Sequence, residues 1–167
     1  TLLQTADAVT SAAGVAAGGS VRLEGGTGTR VFTSGRIDAS STRGAGGSIQ
    51  VLGDDLVLAG AGLDASGATG GGSILVGGSA RGADPGVRNA NALYAGLSTT
   101  LNADATVSGH GGSIVMWSDG ATRVGAALTA RGGASYGNGG SIEVSGKGST
   151  VFGGSADASA PRGLNGT

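Results

Sequence analysis

The chain has no cysteine, one histidine, two prolines and only 3% aromatic residues in 167 positions. Without cysteine there is no disulfide scaffold and no thiolate metal site. With His110 alone, neither a Cys/His pair nor a multi-histidine metal centre can form. A Ser/His/Asp triad would have to use His110, which sits in a Gly109-His110-Gly111 corner with no nucleophile elbow beside it. The chain therefore reads as a non-enzyme, with no catalytic residue, no metal ligand and no cofactor. No run approaches 18 apolar residues, so nothing is expected to span a membrane. The first residues lack the basic start and apolar block of a signal peptide. Ten basic and eleven acidic residues leave a net charge of −1. No basic patch is interleaved with aromatics, which argues against a nucleic-acid partner.

Glycine is what the chain has in excess: 38 residues, about three times the usual share of roughly 7%. Collagen is excluded, because glycine does not recur at every third position and proline is scarce. Gly25-Gly26-Thr27-Gly28 has neither of the phosphate-loop spacings. Disorder fits poorly with a chain that is 38% hydrophobic and places its Val, Ile and Leu regularly.

That regularity is a repeat. Gly-Gly-Ser followed by two aliphatic positions one residue apart occurs five times, with serines at Ser20, Ser48, Ser73, Ser113 and Ser141. The steps are 28, 25, 40 and 28 residues. Two further strand-like pieces follow in each unit. One is Arg30-Val31-Phe32, Leu56-Val57-Leu58, Thr122-Arg123-Val124 and Thr150-Val151-Phe152. The other is Ile37-Asp38, Leu63-Asp64, Leu128-Thr129 and Ala156-Asp157, with Thr106-Val107-Ser108 assigned to that slot in the long unit.

Alternate side chains of a strand face opposite ways. Val21, Leu23, Ile49, Val51, Ile74, Val76, Ile114, Met116, Ile142 and Val144 are thus the expected structural core. A single unit of three short strands cannot bury its own apolar face, whereas stacked units can. The fold class this predicts is all-β: a parallel β-helix, a solenoid with about three short strands per coil. Gly-Gly is the corner, where glycine permits positive φ or close approach of neighbouring coils. Five or six coils spaced by about 4.8 Å would build a rod section of roughly 25 to 30 Å. The solenoid is expected over 18–167, with an inserted loop at about 80–100 in the long step. Residues 1–17 are expected to form a partial coil or a short helix. Neither end shows a clear polar cap, which favours a segment of a longer rod or head-to-tail self-association.

The stretches "LDASGATGGGSILVGG" (63–78), "VRNANALY" (87–94), "GHGGSIVMWSDGATRVGAALTARGG" (109–133) and "YGNGGSIEVSGKGSTVFGGSADASAPRGLNGT" (136–167) resemble the large exoproteins of the filamentous-haemagglutinin type. Trp117-Ser118-Asp119, Ala130-Arg131-Gly132-Gly133 and Ala158-Ser159-Ala160-Pro161 are the most specific pieces. The resemblance implies a right-handed β-helical rod, exported by the two-partner pathway of Gram-negative bacteria through an outer-membrane transporter. It implies secretion or display at the cell surface, and a role as adhesin, biofilm matrix protein or haemolysin. The N-terminal secretion domain of such proteins is not recognisable in this chain, and no toxin module is present.

Within that frame the expected function is a structural and adhesive rod. A self-assembling extracellular fibre and a polysaccharide-active β-helix enzyme are the alternatives. Tyr94, Trp117 and Tyr136 are the candidate contacts for a surface receptor or polysaccharide, since aromatic faces supply large contact area. Leu75 and Val115 face outward in this register and are expected to lie under the inserted loop. Asp38, Asp64 and Asp157 share one outward slot. Thr106 and Thr129 interrupt it, so a solvated face is expected there in place of a calcium ladder.

Overall fold

A computed structural model describes all of residues 1–167. An incomplete first coil holds β1 (Leu2–Gln4) and β2 (Val9–Ser11). Five full coils follow. They are β3 (Ser20–Glu24), β4 (Arg30–Thr33) and β5 (Arg36–Asp38); β6 (Ser48–Leu52), β7 (Asp55–Leu58) and β8 (Gly62–Asp64); and β9 (Ser73–Val76), β10 (Ala92–Ala95) and β11 (Thr100–Asn102). The last two are β12 (Ser113–Ser118), β13 (Ala121–Val124) and β14 (Ala127–Thr129), then β15 (Ser141–Gly146), β16 (Ser149–Phe152) and β17 (Ser155–Asp157).

Like strands pair in parallel with like, making three sheets along the rod. The first sheet is β3-β6-β9-β12-β15, the second β1-β4-β7-β10-β13-β16 and the third β2-β5-β8-β11-β14-β17. The chain is an all-β solenoid of three strands per coil. Register is strict: Val21, Ile49, Ile74, Ile114 and Ile142 stand in one column, and Leu23, Val51, Val76, Met116 and Val144 in another. Ile49, Val51, Ile74, Val76, Ile114 and Met116 are fully buried, and Val21 nearly so. Leu23, Ile142 and Val144 are only partly buried, because their strands, β3 and β15, end the first sheet and are paired on one edge alone.

The repeated glycine pair is explained by close approach. The pair glycines do not adopt positive φ. A Cβ on Gly46 would lie 1.9 Å from the Ala65 carbonyl oxygen, and one on Gly47 would lie 1.9 Å from that of Gly19. The Gly47 N–H donates to the Ala39 carbonyl at 2.8 Å, which ties the corner to the third strand of the preceding coil. Backbone thus passes backbone at the corner with no room for any side chain.

Residues 1–17 take the partial-coil form and contain no helix; β1 and β2 extend the second and third sheets by one strand each. Two expectations change. The excursion in the long step is shorter than 80–100, since β10 and β11 both lie inside that range. Leu93 and Leu101 point into the core, 2% and 1% exposed, and one large aliphatic residue, joined in β10 by the buried Ala95, is enough for such short strands. The third slot of that coil is accordingly Thr100-Leu101-Asn102, and Val107 of the assigned Thr106-Val107-Ser108 is exposed on the surface. The first coil also carries polar residues at inward positions. Gln4 is buried, accepts a hydrogen bond from Thr33 Oγ1, and donates to Thr10 Oγ1 at 3.1 Å and to the Arg36 carbonyl at 3.2 Å.

Candidate functional site: the outer faces of the rod

The interior is filled with side chains, so any function must lie on the three outer faces. The first is closed over by the chain itself. Residues 77–91 leave the rod after β9, make a 3-10 turn at Ala80–Gly82 and return to β10. They lie over Val115 and Trp117, which are 7% and 6% exposed although they point away from the core. An added Cβ on Gly82, at φ +59°, would meet Trp117 Nε1 at 2.5 Å, so the loop needs glycine to pass the ring. Trp117 Nε1–H donates to Asp119 Oδ1 at 3.1 Å, and Asn89 Nδ2 donates to the same oxygen at 3.2 Å. Lys147 pairs with Asp119 at 3.1 Å and, with the Trp117 and Asn89 donors, holds its carboxyl below the usual carboxylate range. The Arg81 N–H donates to Glu143 Oε1 at 2.9 Å, and Arg88 pairs with Asp54. Trp117, expected as a partner contact, is thus buried under the excursion and unavailable to one.

The third face carries the aspartate row, which has a structural use. In four of the five full coils the side-chain oxygens of Asp38, Asp64, Asn102 and Asp157 accept the N–H two residues on, at 2.9, 3.0, 3.0 and 2.9 Å. These are Asx turns, which start the corner after the third strand. Thr129 has no such acceptor. There Asp104 of the preceding coil, itself only 4% exposed, accepts the Arg131 N–H at 2.7 Å and clamps the guanidinium at 2.9 and 2.7 Å. Arg36 bridges Asp38 and Asp64 at 2.9 and 3.1 Å. No three His, Asp or Glu side chains converge to hold a cation.

The second face is different. Leu3, Phe32, Val57, Tyr94, Arg123 and Val151 stand side by side in one outward row, one per strand. Leu3, Tyr94 and Val151 are 62%, 50% and 57% exposed. Tyr136, also exposed, lies at the corner between β14 and β15. The three aromatics singled out from the sequence therefore lie apart and form no single site. His110 likewise stays at its corner, its Nδ1 accepting the Asn138 N–H at 3.0 Å.

The fold is similar to that of a secretion domain. The crystal structure of the HMW1 secretion domain from Haemophilus influenzae aligns with a TM-score of 0.69 and 24% sequence identity, over 96% of this chain and 41% of that chain. At this identity the likeness is one of fold, and the chain spans less than half of the solved domain. No family model matches the chain, and no curated protein does.

Two features of the outer faces were missed in the sequence. The Asp104–Arg131 clamp joins residues 27 apart, close to one repeat, but Asp104 fell outside the assigned strands. The Leu3-to-Val151 row depends on placing Tyr94 in a strand, and an aromatic amid Asn and Ala had suggested a loop.

Proposed function

We propose that this chain is a section of the rod of a secreted or surface-displayed bacterial exoprotein, working in attachment or in a biofilm matrix, without catalysis or cofactor. The observation that supports it best is the uniform stack: coil after coil repeats the same aliphatic slots in register, which builds length and surface and encloses no chamber. The fold likeness to a secretion domain and the motif resemblance to filamentous-haemagglutinin-type exoproteins point the same way. In this reading an outer-membrane transporter of a Gram-negative bacterium is the export partner, and the ligand is a receptor or polysaccharide on a cell surface. Asp38, Asp64, Asp104 and His110 are each engaged in turns, clamps or corner hydrogen bonds, which supports the non-catalytic reading.

Beads coated with the purified chain should adhere to cultured cells or preformed biofilm more than beads coated with heat-unfolded chain. Equal adhesion would remove the adhesive part of the reading. Electron microscopy across a concentration range checks the fibre alternative: filaments of constant width would replace a monovalent rod with a self-assembling protomer.

A second reading draws on the solved secretion domain: the segment itself takes part in export. Deleting residues 1–167 from the producing protein should then abolish its appearance in the medium, whereas a pure shaft section could be removed with export intact.

A further inference from the structure

The outward row on the second sheet is a ready binding strip. Phe32, Val57 and Tyr94 lie on adjacent strands. Two strand spacings, about 9.6 Å, separate the two aromatic positions, close to the length of two linked pyranose rings. Arg123 follows one strand beyond Tyr94. The hollow beside Tyr94 and Arg123 is lined by these two with Leu97, Val151 and small residues including Gly96 and Gly125, with no acidic side chain among them, while Phe32 and Val57 lie outside it along the row. Arg123 forms no ion pair or side-chain hydrogen bond, as is also true of the Arg30, Arg43, Arg81 and Arg162 side chains, whereas Arg22, Arg36, Arg88 and Arg131 are each tied to a carboxylate; Arg123 is the unpaired one that lines the hollow. The Tyr94 ring leans over Gly96, where an added Cβ would sit 3.6 Å from Cε1 and Oη, and Leu97 leans over Gly125. The flanking column runs Arg30, Asp55, Ala92, Ala121 and Ser149. It is small beside Tyr94, Arg123 and Val151, where the strip is open and low-walled, and its one carboxylate, Asp55, lies at the Val57 end next to Arg30.

Its size argues against a second copy as the occupant. A strip about 24 Å long and about 13 Å wide would bury on the order of 600 Å² between two copies, against the roughly 1,200 Å² of a stable interface. A stacking ring, apolar neighbours and an unpaired cation in one line fit a sugar chain that carries carboxylates.

We propose that the second face binds an extended, uronate-containing polysaccharide laid along the rod axis, with Tyr94 stacking on a sugar ring and Arg123 pairing with a carboxylate. This deepens the reading of the chain as a displayed rod and rests on it, and its test uses purified protein alone. Failure here would therefore leave the attachment and export experiments standing.

The test is titration calorimetry with an oligogalacturonate of about ten sugars and a neutral cello-oligosaccharide of equal length. The acidic oligomer should bind the parent, more weakly as salt rises. Tyr94→Ala should weaken it by about fivefold to tenfold. Arg123→Gln should weaken it by a similar factor and remove most of the salt dependence. Tyr136→Ala, on another face, should bind like the parent, and circular dichroism should show each variant folded. The proposal is overturned if the acidic oligomer does not bind, if both variants bind it as the parent does, or if the neutral oligomer binds equally. Sedimentation that shows a parent dimer and a monomeric Tyr94→Ala would also overturn it, in favour of a second copy.

Discussion

Ile74 and Ile142 occupy the same slot two coils apart, yet the first is fully buried and the second only partly. Truncation cost follows the transfer term plus the cavity left behind. Ile74→Ala should therefore destabilise by about 2 to 5 kcal/mol, and Ile142→Ala by clearly less, as read from urea unfolding midpoints. Equal costs would mean that the last coil is covered. The glycines give a second contrast. Gly47→Ala places a methyl on the Gly19 carbonyl and should lower the midpoint strongly, while Gly153, with open space around it and no positive φ, should accept alanine with little change. The core column was legible from the aliphatic period alone. The reason for the glycine pair was only half legible, since turn freedom and close approach both call for glycine and only the packed corner separates them.

Among the elements, the excursion over 77–91 is an addition to a coil that is complete without it. β9, β10 and β11 keep register with their neighbours on both sides. Replacing residues 79–88 by a short Gly-Ser link should leave the β-sheet circular dichroism in place. It should shift Trp117 fluorescence to the red as the indole meets water. Loss of the β signal in that variant would make the excursion part of the fold's foundation. Strands β10 and β11 were hidden in the sequence because each presents one large inward aliphatic, Leu93 and Leu101, and the second inward residue of β10, Ala95, is too small and common to mark a period. Their place is set by the strands on either side, which supply the hydrogen-bonding partners.

On the scale of the whole rod, electrostatics act through many small local ties. Asp54 is held low by the Gly28 N–H and Arg88, Asp119 by Lys147, and Asp157 by Ser159 and Arg131. At Asp38 burial pushes upward, but hydrogen bonds from Ser40 and Arg36 outweigh it. Carboxyls lowered in the folded state stabilise it above their unfolded values, and that stability is lost as pH falls through the folded values. The melting temperature should stay level from neutral pH to about 5 and fall progressively below about 4. A loss that begins near pH 6 would overturn this carboxylate account. Hydrogen exchange should be slowest in β6, β9 and β12, which are paired on both edges, and faster in β15 to β17, which are paired on one.

The sequence by itself determined the solenoid, its three strands per coil and the inward columns, because each of these follows from a repeated local pattern that every coil must satisfy to bury its apolar side. Which outer face stays open was decided only by the tertiary structure. Trp117 looks as exposed in the sequence as Tyr94 and Val151, yet it is buried under the excursion, as was expected of Val115, and nothing covers Tyr94 and Val151. The aspartate row reads as solvated charge until the corners form and the carboxylates meet the N–H groups two residues on. Outward positions carry no periodic constraint of their own. Their roles come from residues far away in the chain that stacking brings beside them.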